Sequence, residues 1–114
     1  MPDLQHHPTS FSTAVHGTVF ARRMNAVRRL QGGDELLLIP DPPGSGDPAV
    51  WVHAQGGDVV GYLPLHIATW LAPWMLEGGR CRAYVERVGS DEVASWNRLV
   101  ITVRCLPAES RRPR

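Results

Sequence analysis

The sequence predicts a mainly β domain with two short helices, an α+β chain closing into a small OB-like or SH3-like barrel of about six strands. Three observations predict it. Asp47 to Pro64, DPAVWVHAQGGDVVGYLP, joins two strand patterns through a glycine turn. Leu36 to Ile39 is a short continuous apolar run of the kind a barrel buries. Two longer segments, one before that run and one after the hairpin, carry apolar stripes at helical spacing. At 114 residues the chain has room for one core and no second domain.

Taken in order, residues 1 to 12 read as a flexible arm, because they show neither a helical nor a strand period. The domain proper is expected over residues 13 to 106, followed by a charged tail, PAESRRPR, over 107 to 114. A first strand is expected from Thr13 to Phe20, then a helix over Arg22 to Gln31 in which Met24, Val27 and Leu30 form one stripe. Gly32 and Gly33 end that helix, as glycines near a C-cap do. Glu35 to Ile39 is the next strand. Three prolines make the loop from Pro40 to Gly46 irregular, since each removes a backbone donor and fixes φ.

The hairpin pairs Ala49 to Val52 with Val59 to Leu63 across the turn Gln55-Gly56-Gly57-Asp58. Pro64 stands where a helix begins, and that helix is expected from Leu65 to Glu77, with Ile67, Trp70, Leu71, Trp74 and Met75 on its inner face and a kink or restart at Pro73. Two last strands flank a turn within Gly89 to Asn97. Cys81 and Cys105 are equidistant from Val93, so a hairpin centred there sets them opposite each other, where direct cross-strand neighbours can touch. In a cytoplasmic setting reduced thiols are the default.

All twelve basic residues are arginine, a bias that a GC-rich genome also produces. With no lysine, the chain cannot be a P-loop ATPase, nor can it run Schiff-base or pyridoxal phosphate chemistry. A net charge of +1 argues against a broad nonspecific DNA coat, though Arg22, Arg23, Arg28 and Arg29 can form a local patch. No apolar run approaches the roughly 20 residues of a membrane span, and the first dozen residues lack a signal-peptide core, so the expected location is the cytoplasm. No Cys/His spacing implies structural zinc, and the histidines and carboxylates are scattered. Binding without catalysis is therefore expected, with no cofactor.

The ordered pieces, a strand ending near Gly17, a short helix, Gly33-Asp34 before an apolar strand, a proline-rich loop into Asp47-Pro48-Ala49-Val50, and Gly61-Tyr62-Leu63-Pro64, resemble the HIRAN domain family. The resemblance spans roughly residues 14 to 88, and more loosely reaches Cys105. It implies an OB-like barrel that binds single-stranded DNA, in the best-understood members at a free 3′ end, with a helicase or nuclease supplied in trans for replication or repair.

Phe20, Trp51, Tyr62 and Trp96 are the aromatics that can stack on bases. By similarity, Phe20 meets the terminal base, and Tyr62 stands where a DNA-binding member has a phosphate-holding histidine. Asp47 holds the place of an aspartate that contacts the 3′ hydroxyl, and Trp96 borders the pocket. The family's Asn-Pro-Tyr-Asp loop is replaced by Pro43-Gly44-Ser45-Gly46-Asp47, which lacks the stacking tyrosine. Val19 and Leu65 stand where basic residues are expected, leaving Arg22, Arg23 or His66 to compensate. The alternatives are a HIRAN-fold protein that has lost the end pocket and uses its tryptophans for protein contact, and a metal-dependent hydrolase built on Asp47, His53 and His66.

Overall fold

A computed structural model describes residues 9–19, 21–41, 46–89 and 98–106. Six strands and two helices follow one another as β1 (Ser10–Ala14), α1 (Ala21–Arg28), β2 (Glu35–Pro40), β3 (Val50–Ala54), β4 (Val59–Tyr62), α2 (Leu65–Leu76), β5 (Arg80–Val88) and β6 (Leu99–Leu106). The strands make one antiparallel sheet in the order β1-β6-β5-β2-β3-β4. The predicted class holds, with the sheet curled into a half-barrel.

Closure is made just beyond β1. His16 and Tyr62 exchange backbone hydrogen bonds, His16 N–H to the Tyr62 carbonyl at 2.8 Å and Tyr62 N–H to the His16 carbonyl at 3.0 Å. The chain leaving one end of the sheet is thereby joined to β4 at the other end. Gly61 makes this approach feasible, because a Cβ there would collide with the His16 carbonyl oxygen and Val15 Cγ1.

Alternation along the strands builds the interior. Val50 and Val52 of β3, Ala83 and Val85 of β5, and Ile101 and Val103 of β6 point inward and are buried. The two helices cover what the curled sheet leaves open. α1 packs on β4 and buries Ala26 and Val27, while α2 lies against β2 and β3 and buries Ile67, Ala68, Leu71 and Ala72. Trp70 meets Phe11 of β1 edge to face at 5.7 Å, which ties α2 to the first strand.

Three local expectations are corrected. β1 begins at Ser10 rather than Thr13 and ends at Ala14, so residues 10 to 12, expected in the arm, are strand. Its sequence is mostly polar, and pairing with β6 together with the single large apolar residue Phe11 holds it there. The first helix stops at Arg28, three residues short of its expected end, with Arg29 and Leu30 bonding back to Ala26 and Val27 in a tighter turn. α2 runs unbroken through Pro73. Pro73 and Thr69 both lie on the exposed side, where water can satisfy the Thr69 carbonyl that the proline leaves without its helical donor. The terminal segments 1–8 and 107–114, residue 20, residues 42–45 and residues 90–97, where the last turn was expected, lie outside the described residues.

Candidate functional site

The outward face of the β3–β4 hairpin presents what its inward face excludes. Since Val50 and Val52 point into the core, Trp51 points out, and the register sets it directly across from Tyr62. The two rings meet edge to face at 5.6 Å and 74°. Gly17, with φ 74°, lies against the Tyr62 ring so closely that a Cβ would collide with it. Two glycines thus hold Tyr62, Gly61 through the backbone and Gly17 against the side chain.

Trp51 is held on two further sides. Its indole Nε1–H donates to Asp41 Oδ1 at 3.1 Å, and the Arg23 guanidinium lies 5.6 Å from the centre of its ring, within cation–π range. Arg23 Nη1 also donates to the Gly17 carbonyl at 2.9 Å, so one arginine links α1, the turn after β1 and β3. In front of this corner opens a groove of about 260 Å³, lined by Asp47, Pro48, Ala49, Trp51, Tyr62, Leu63 and Leu65. Its walls are apolar and aromatic apart from the Asp47 carboxylate and the Tyr62 hydroxyl.

Of the residues expected from sequence, Asp47 and Tyr62 line this groove and Arg23 flanks it across Trp51. Arg22 is exposed on α1, and His66 is exposed on the first turn of α2 beside the lining residue Leu65, but neither lines the groove. Phe20 and Trp96 lie outside the described residues. Trp51 was one aromatic among four by sequence and is central in the structure; strand alternation was the signal that turned it outward. Asp41, Pro48 and Leu65 carried no such signal.

The arginine patch is partly spent on local contacts. Arg29 pairs with Asp58 at 3.1 Å and Arg28 Nη1 donates to Asn25 at 3.4 Å. Both members of the Arg29–Asp58 pair are more than half exposed, and such a pair contributes little stability. His53 Nδ1 lies 3.2 Å from the Gly57 carbonyl, in the hairpin turn and away from the groove lining, so the Asp47, His53 and His66 pocket of the hydrolase alternative does not form. Among the described residues no group of three or more His, Cys, Asp or Glu is placed to hold a metal ion. Also among them, no helix is long and apolar enough to cross a membrane.

Comparison with known proteins gives a consistent answer. The chain is similar in structure to the HIRAN domain of human HLTF, with 20% sequence identity and a TM-score of 0.53, over 84% of this chain and 72% of that one. None of the curated proteins matches it. The sequence profile of the HIRAN domain matches residues 8–105, nearly the whole described chain, and on that span the protein belongs to the HIRAN domain family, known as a DNA-binding module.

Proposed function

We propose that this protein is a non-catalytic module that binds single-stranded DNA in the groove before Trp51 and Tyr62, with the 3′ end seated there. It would act in the cytoplasm in replication or repair, beside a helicase or nuclease supplied in trans. The observation that carries this reading is the meeting of Asp47 and Tyr62, from opposite ends of the β3–β4 hairpin, with Trp51 in one open groove. A base fits such a surface because stacking on an aromatic ring needs only a flat apolar face, and is worth about 1 to 3 kcal/mol per base.

The roles follow from the chemistry of each side chain. Trp51 and Tyr62 form the stacking corner, and the apolar walls exclude water from a seated base. Arg23, fixed over Trp51, supplies positive charge for the adjacent phosphate, taking over from the basic residues that Val19 and Leu65 replace. Arg22, exposed beside this region, extends that charge outward, and the exposed His66 ring adds a hydrogen-bonding group next to it. Asp47 accepts a hydrogen bond from the terminal 3′ hydroxyl, a bond that a phosphate-blocked end does not offer.

A second reading, docking of a protein partner, is favoured by one observation. Leu37 and Ile39 stand exposed on β2, and Ile39 is directly across from Trp51, so the apolar face continues past the groove. Fluorescence anisotropy with short single-stranded DNA carrying a free or phosphate-blocked 3′ end, over a salt series, separates the two. Tighter binding to the free end, lost on Asp47→Ala while binding to the blocked end changes little, is the expected result. Equal loss at both ends would leave Asp47 as a shaper of its loop, and no binding at low salt would favour the protein partner.

A further inference from the structure

At the other end of the sheet order, Cys81 of β5 and Cys105 of β6 occupy directly opposed positions. How close this brings them depends on where the backbone bonds go. Opposed residues in an antiparallel pair alternate between those that exchange N–H···O bonds and those that do not, and the latter bring their Cα atoms to about 4.5 Å. The Cys105 N–H donates to the Thr9 carbonyl at 2.8 Å, on the β1 side of β6, so it is not shared with β5. The Cys81–Cys105 pair is therefore of the close, non-hydrogen-bonded kind. That spacing falls within the range of about 4.4 to 6.8 Å that disulfides span.

Strand alternation turns both side chains toward the core, in line with the inward Ala83 and Val103. Each cysteine is free and half-buried. Contact between the sulfurs divides their acidity. The Cys81 thiol donates to Cys105, which raises the pKa of Cys81 and lowers that of Cys105, leaving Cys105 the readier thiolate.

We propose that Cys81 and Cys105 are a thiol-oxidation site that closes to a reversible cross-strand disulfide, set by the β5–β6 register and separate from the nucleic-acid groove. With a small-molecule disulfide as oxidant, the Cys105 thiolate attacks one sulfur, forming a mixed disulfide and releasing one small thiolate. Cys81 gives its proton to that thiolate and attacks Cys105 Sγ, expelling the second, which leaves as a thiol after taking up a proton. The two protein thiols lose two electrons and two protons in all, and the small disulfide becomes two thiols. The new bond joins the start of β5 to the end of β6, beside the point where Thr9 docks on β6.

The test treats the full chain with oxidised glutathione, blocks remaining thiols with iodoacetamide and reads the intact mass. The expected product has lost two hydrogen atoms, carries neither glutathione nor a carbamidomethyl group, and returns to the dithiol with dithiothreitol. Its thermal midpoint should exceed that of the reduced form by roughly 15 to 30 °C, as closing a loop of this size implies. Cys81→Ser and Cys105→Ser should each keep a stable glutathione adduct on the remaining cysteine. Wild-type protein that retains glutathione on either cysteine, or that alkylates fully at both, would overturn the proposal.

Discussion

Replacing Gly61 with alanine sets a methyl group against the His16 carbonyl oxygen and Val15 Cγ1, both closer than a real Cβ ever comes. The carbonyl cannot simply step aside, because it accepts the Tyr62 N–H at 3.0 Å in the pair of bonds that closes the half-barrel. Val15 cannot either, being fully buried. Overpacking of this kind typically costs about 1 to 3 kcal/mol, and for a domain of this size each kcal/mol lowers the melting temperature by roughly 4 to 8 °C. Gly61→Ala should therefore melt about 5 to 20 °C below wild type in a circular dichroism scan. Gly56→Ala is the control, since a Cβ there meets nothing and the same hairpin carries it. If Gly61→Ala melts with Gly56→Ala, then the contact between Gly61 and the chain after β1 does not hold the barrel closed, and the account of Tyr62's placement fails with it.

Three further outcomes are expected. Trp51→Ala should weaken single-stranded DNA binding about 5- to 150-fold by anisotropy, the worth of one stacked base, and Trp51→Phe should recover most of the loss. An unchanged Kd would remove Trp51 from the contact. Arg23→Ala should lower the slope of log K against log salt by about 0.7, the share of one phosphate on a single strand. A weaker Kd with an unchanged slope would mean that Arg23 acts only by holding Trp51. Glu86 Oε1 accepts from Ser12 Oγ at 2.6 Å and Thr102 Oγ1 at 2.9 Å, contacts that hold its pKa below the ordinary value of 4.5. A depressed carboxylate stabilises the fold above its unfolded pKa, and that stability is lost as pH falls through the lower folded value. Thermal midpoints should thus drop on acidification below about pH 4.5, and Ser12→Ala with Thr102→Val should flatten that drop.

How much of this was legible in the chain depended on how local its cause was. The hairpin could be read because strand alternation and a glycine turn are both written in consecutive residues, and the helix after Pro64 was marked by its own stripe. The opposition of the cysteines could be read because a hairpin's register follows from its centre, although a bulge between Val85 and Arg87 shifts the register by one residue nearer the turn. β1 was placed late because SFSTA has no apolar period, and its membership depends on a partner strand some ninety positions away. Asp41 was unreadable for a similar reason. An aspartate after a strand is ordinary turn chemistry, and only the β2–β3 pairing brings it to the Trp51 indole.

That last contact bears on how the proposed DNA groove compensates for its changed loop. The tyrosine that the family resemblance expects beside Asp47 is missing, and a stacking surface lost from a loop cannot be restored by another loop residue without the same ordering cost. Trp51 avoids that cost. It rises from the middle of a paired strand, with its N–H satisfied by Asp41, its ring under Arg23 and its edge against Tyr62. A ring held on three sides gives up little rotamer freedom when a base arrives, so more of the stacking energy appears as affinity. Asp41→Asn tests this directly. An amide can still accept the indole N–H, so geometry should survive while the charge-assisted strength falls. DNA binding should weaken only a few-fold, whereas Asp41→Leu, which removes the acceptor and frees the ring, should approach the loss seen for Trp51→Ala. Equal binding by Asp41→Leu and wild type would show that the clamp on Trp51 contributes nothing to recognition.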